Sequence, residues 1–151
     1  MQLTRAADYA VRVMIHLAGL PPGTWASQPQ LAEAADCPPQ FLSKVLQRLA
    51  RAGLLVSHRG NTGGFELPAA HRNASVLRVI EAIEGPLRLN VCLAPGASCN
   101  RRSWCPAHPV WVEAQTALEA VLKTAAIDEL ARRARSDREP RAGLVRGPEW
   151  N

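Results

Sequence analysis

Three cysteines and a histidine fall within one short stretch: Cys92, Cys99, Cys105 and His108, separated by six, five and two residues. Thiolates and a neutral imidazole are soft donors, and a loop carrying four of them can wrap a metal centre. Zinc fingers usually close tight knuckles with pairs of cysteines two residues apart. The wider gaps here leave room for an iron–sulfur cluster, in which each thiolate goes to an iron, and a Cys-Pro pair such as Cys105-Pro106 often closes such a site. Arg101 and Arg102 would offset the negative charge of the gathered thiolates. From spacing alone three readings stay open: an iron–sulfur cluster, a zinc ion on three cysteines and a histidine, or reduced thiols with no metal. No run of eighteen apolar residues exists, and the start of the chain lacks a secretory pattern, so a cytoplasmic protein is expected. Thiols are kept reduced there, which favours metal or redox chemistry over disulfides. The fourth cysteine, Cys37, precedes Pro38 at a helix start and is expected to serve packing.

The elements that must position this loop are mostly helical. The chain has 151 residues, 47% of them apolar, which suffices for one packed core and an appendage. Thr4 is a candidate N-cap for a first helix with an apolar stripe through Ala7, Ala10 or Val11, Met14 and Leu17 or Ala18. Ser27-Gln28-Pro29-Gln30 has the form of a capping box opening a short second helix. A third helix is expected over about Pro38 to Ala52, with Phe41, Leu42, Val45, Leu46 and Leu49 inward. Its other side carries Gln40, Ser43, Lys44, Gln47, Arg48 and Arg51, side chains suited to phosphates and base edges. Two helices joined by a tight turn, the second with such a face, form a helix-turn-helix. Leu54–Arg59 and Phe65–Pro68 read as strands around the turn Gly60-Asn61-Thr62-Gly63-Gly64. A hairpin in that place is a wing, with Arg59 and Gly60 at a tip that can approach a nucleic-acid backbone.

The fold class expected is therefore mainly α with a small β-hairpin wing. A winged helix-turn-helix unit should span 1–86, its last helix capped by Ser75 with Val76, Val79, Ile80 and Ile83 inward. The cysteine-rich loop follows over 87–108, then a long helix over 109–130 whose apolar stripe lacks an internal partner and so suggests a homodimer. The Arg-rich 131–151 stretch is expected to be a flexible tail. The net charge of +5 is too modest to decide for nucleic acid by itself. An enzyme is not expected, because no nucleophile–base pair, phosphate loop or paired acids can be found.

Taken in order along the chain, these features resemble the IscR and NsrR family of bacterial winged-helix iron–sulfur transcription regulators. The resemblance rests on Met1-x-Leu3-Thr4, Tyr9-Ala10-Val11-Arg12, Leu42, Leu49, Gly53-Leu54, Arg59-Gly60, Gly63-Gly64-Phe65, the Val79 to Glu84 helix and the three cysteines, and it covers about 1–130. It implies a homodimeric DNA-binding regulator, read as a repressor, whose grip on double-stranded operator DNA follows redox, nitric oxide or iron–sulfur status. By the same resemblance Cys92, Cys99 and Cys105 are cluster ligands. Cys105-x2-His108-x2-Trp111 is similar to the IscR-type ending, where the histidine completes a [2Fe-2S] site, which is the first reading. Asp8 matches the aspartate with which NsrR-type members reach the other subunit's [4Fe-4S] cluster, the second reading. The recognition helix has Ser43 where IscR-type proteins carry a glutamate, so no operator sequence is carried over. Two alternatives remain beside it: a cluster-free regulator responding through thiols or a protein partner, and a zinc or iron–sulfur module not acting on DNA.

Overall fold

The computed structural model describes residues 3–96 and 99–138. Helix α1, Arg5–Gly19, starts where Thr4 caps it by accepting the Ala7 N–H, and Thr4 also donates from its backbone N and its hydroxyl to Glu84 Oε1 at 2.8 and 2.7 Å. Its inward stripe of Ala7, Ala10, Val13, Met14, Leu17 and Ala18 is buried. Its last carbonyls, Ala18 and Leu20 among them, accept from the Arg72 guanidinium, so a distant cation does the work of a C-cap. Helix α2, Gln28–Ala35, opens with the expected capping box: Ser27 and Gln30 bond each other's backbone N–H. Asp36, in the left-handed conformation at φ 52°, turns the chain into α3, Pro39–Arg51.

Helix α3 buries Leu42, Val45, Leu46 and Leu49. Phe41, expected in that stripe, is 42% exposed and instead meets the edge of Tyr9 at 5.7 Å between ring centroids. One position before Leu42 it falls to the side of the apolar arc, where α1 is its neighbour. The wing is a three-stranded antiparallel sheet in the order β1–β3–β2, from β1 Trp25–Ala26, β2 Val56–His58 and β3 Gly64–Glu66. The hairpin was expected; the two-residue β1 was not. It pairs so closely that a Cβ on Gly64 would lie 2.4 Å from the Ala26 carbonyl oxygen. Gly64→Ala is therefore expected to cost about 1–3 kcal/mol by forcing β1 and β3 apart. Urea denaturation checks this, and an unchanged midpoint would mean that the pairing tolerates the methyl.

Ser75 caps α4, Val76–Glu84, which buries Val76, Val79, Ile80 and Ile83 as its spacing required. The expected single helix over 109–130 is two: α5, His108–Thr124, and α6, Ile127–Arg138. Between them Ala126 forms an antiparallel bridge with Ser75, and Val76 N–H bonds Ala125 O at 2.8 Å while Ile127 N–H bonds Ala74 O at 2.9 Å. These bonds satisfy the backbone where the helix stops. Residues 131–138, expected to begin a flexible tail, continue α6, and Ile127 and Ala131 are buried in the same core as Met14, Leu42 and Ile80. Positions 139–151 lie outside the described residues.

Candidate functional site

Helical geometry sorts the polar positions of α3. Gln40, Lys44 and Gln47 recur at steps of four and three residues with Ser43 between them, and all face away from the core, Ser43 half-buried and the others exposed. Arg48 lies to one side, and its Nη1 donates to the Ile83 carbonyl at 2.9 Å, which ties α3 to the end of α4. Sequence reasoning grouped it with the outward residues; the structure gives it a second, internal task. Of the wing residues, Arg59 and Gly60 are exposed at the tip, with Gly60 at φ 110°, a conformation that L side chains rarely adopt.

The residue that braces this tip was missed. Trp25 donates from its indole N–H to the Thr62 carbonyl at 2.9 Å and stacks on His58 at 4.5 Å between centroids, with the rings 19° apart. His58 Nε2 in turn lies 2.7 Å from Glu66 Oε2. A tryptophan 46% exposed in a strand of two residues gives little sequence signal, since periodicity needs a longer run.

Cys92 lies in a short 3-10 turn, Val91–Leu93, and is half-buried; Cys99 is exposed; Cys105 is half-buried just before α5. Its carbonyl accepts the His108 N–H at 3.1 Å, so the start of α5 fixes Cys105 and His108 together. Arg101 rests over the Trp104 ring at 5.4 Å. Asp8 is exposed in the first turn of α1 and paired with Arg12 at 2.7 Å. Among the described residues no three histidine, cysteine or acidic side chains sit together as a metal site. The structure therefore brings Cys105 and His108 onto one turn but does not draw the three thiols together.

The donor set nevertheless suits a cluster. The His108 Nδ1 atom is buried and has no hydrogen-bond partner among the described residues, and a buried polar atom left unpaired costs free energy that a bound ligand would recover. Gathering thiols from an open loop is what metal binding coupled to local folding requires. Cys37 belongs elsewhere: it is buried, bonds the Pro38 carbonyl from its thiol at 3.5 Å, and has its pKa raised by burial and by the nearby Asp36. Held protonated at neutral pH, it is a poor nucleophile.

Comparisons with known proteins agree with the fold. The family model Rrf2, described as an iron-dependent transcriptional regulator, matches residues 3–133. A putative HTH-type transcriptional regulator of Mycobacterium tuberculosis, Rv1287, is 41% identical over 87 residues, 58% of this chain and 54% of that protein, so the match spans about half the relative's length. Among solved structures, CymR, the global cysteine regulator of B. subtilis, superposes with a TM-score of 0.71 at 22% identity, covering 88% of this chain and 98% of that one. The IscR of T. potens superposes with a TM-score of 0.69 at 23% identity, covering 97% and 94%. At those identities the two structures speak for the fold, a winged helix.

Proposed function

The chain belongs to the Rrf2 family of transcriptional regulators, and from that premise we propose that it reads operator DNA as a homodimer under the control of an iron–sulfur cluster held by its cysteine loop. Regulation, and not catalysis, is the role its named relatives share. Gln40, Ser43, Lys44, Gln47 and Arg48 of α3 face the major groove, and Arg59 with Gly60 grips the adjoining backbone from the wing. Two such units read half-sites about one helical turn apart, as two-fold symmetry demands. The second copy packs on α5, whose Val110, Trp111, Val112 and Val121 are exposed. No helix among the described residues is long and apolar enough to cross a membrane, and the work of such a regulator lies in the cytoplasm.

The observation that carries the cluster reading is the buried, unpartnered His108 Nδ1 in the first turn of a helix led by Cys105. His108 joins Cys92, Cys99 and Cys105 as the fourth ligand, the arrangement of a [2Fe-2S] centre. Asp8 of the partner subunit, with a [4Fe-4S] centre, comes second because in this chain its carboxylate already holds Arg12. When bound, the cluster supplies an iron centre that reacts with oxidants and nitric oxide. Cys92 and Cys99 would hold it together with Cys105 and His108, and so would tie the loop to the start of α5. To move an operator from mostly bound to mostly free, the two loop states must differ by about 3–5 kcal/mol in DNA affinity.

A second reading has its own support. The thiols lie apart and Cys99 is exposed, which suits a cluster-free regulator responding through its cysteines, and CymR is named a cysteine regulator. Anaerobic purification with visible spectroscopy and native mass spectrometry separates the two. A coloured dimer containing iron and sulfide supports the first; a colourless one, or stoichiometric zinc, defeats it.

A further inference from the structure

Among the described residues one polar side chain is buried, and it lies on α5: Gln115, 8% exposed. Its amide grips the segment leaving α4 at both ends. Gln115 Nε2 donates to the Leu87 carbonyl at 2.7 Å, and Gln115 Oε1 accepts the Leu89 N–H at 2.7 Å. The pairing copies what a neighbouring strand would offer, in a segment that has none. Glu119, one turn on, accepts from the same Nε2 at 2.5 Å and holds the amide in this orientation. His108, Gln115 and Glu119 lie at steps of seven and four residues, one face of α5. Cys92 is three residues beyond Leu89.

The gripped segment leads back to the DNA-reading body. Leu87 is buried in the core. Four residues earlier, the Ile83 carbonyl accepts the Arg48 guanidinium of α3 at 2.9 Å, and Glu84 holds Thr4 at the start of α1. We propose that Gln115 is the positioning residue that links the cysteine loop to the recognition helix, through Leu87 and the Ile83–Arg48 bond. Displacement of the Cys92 segment relative to α5 must break the amide pair or carry Leu87 with it, and Leu87 is continuous with the turn on which Arg48 is fixed. Buried hydrogen bonds and packed side chains in contact are the material through which such coupling passes. The inference rests on the proposed role of the loop as the sensing element, but the link itself needs no metal.

The test is hydrogen exchange on the full chain, reduced and metal-free, comparing wild type with Gln115→Met and Gln115→Glu. Methionine fills the same volume without any of the three bonds; glutamate keeps the acceptor for Leu89, loses the donor to Leu87 and sets its carboxylate against Glu119. Gln115→Met should speed exchange of the Leu89 amide about tenfold and of the Arg48–Ala52 amides about threefold, leaving residues 10–17 of α1 unchanged. Gln115→Glu, which faces the Leu87 carbonyl and Glu119 with a carboxylate, should speed the same amides at least as much, and it decides the matter alone if the methionine variant does not fold. Acceleration confined to 87–93, or spread evenly over α1, α3 and α4, overturns the proposal. A second arm compares operator affinity of iron-loaded and iron-free protein, whose ratio should shrink about tenfold in Gln115→Met; an unchanged ratio overturns it as well. Should the wild-type ratio itself be one, the sensing role fails, while the exchange result still decides the link.

Discussion

Cys99→Ala is expected to remove the visible absorption of anaerobically isolated protein altogether while leaving a folded dimer. The side chain is exposed and touches none of the core, so its loss removes a ligand without opening a cavity. A three-cysteine site has no spare thiolate to replace it, since Cys37 is buried in the turn between α2 and α3 with its pKa raised. Full absorption in the variant would refute the ligand assignment. The fourth ligand follows from a paired comparison. His108→Ala should shift the spectrum and the reduction potential, whereas Asp8→Ala should release Arg12 and leave both nearly unchanged. The reverse order moves the ligand to Asp8 of the partner subunit and the cluster to the [4Fe-4S] type.

Lys44→Ala combined with Arg59→Ala is expected to weaken operator binding about a hundredfold, about tenfold for each, because the two residues sit on separate elements and share no partner. Where each cation meets a phosphate, the slope of log affinity against log salt should flatten by about 0.9 per residue per subunit. An operator selected from a pool of random duplexes and titrated at several salt concentrations supplies the measurement. Undiminished affinity would place the recognition surface elsewhere. Arg48 is the poorer probe despite its position. Its guanidinium holds the Ile83 carbonyl, so removing it leaves that carbonyl to find another donor and mixes a structural loss with a binding one.

Much of the fold was legible because its signals are local. Thr4, Ser27 and Ser75 cap the helices they were expected to cap, and the apolar stripes read on α1, α3 and α4 are buried, Phe41 excepted, whereas the stripe read on α5 is half-buried or exposed. The wing hairpin was legible too, from the turn residues around Gly60 and Gly63. Strand β1 was not, since two residues have no period and its pairing with β3 depends on a partner some forty positions away. The break between α5 and α6 carried no glycine or proline to announce it. Thr124-Ala125-Ala126-Ile127 reads as uninterrupted helix, and the stop comes from bonds to Ala74 and Val76 that exist only once α4 is in place.

The candidate site divides the same way. Residue type and spacing alone singled out Cys92, Cys99, Cys105 and His108 as candidate donors and the outward face of α3 as basic and amide-bearing, because donor chemistry and helical periodicity belong to the chain itself. Only the tertiary structure decided that Arg48 is tied to α4, that Trp25 braces the wing through Thr62 and His58, and that Gln115 is buried with its amide closed on Leu87 and Leu89. Each of these is a hydrogen bond or ring contact between residues far apart in sequence. Their partners are chosen by which surfaces the core brings together, a choice that no short stretch of the chain contains.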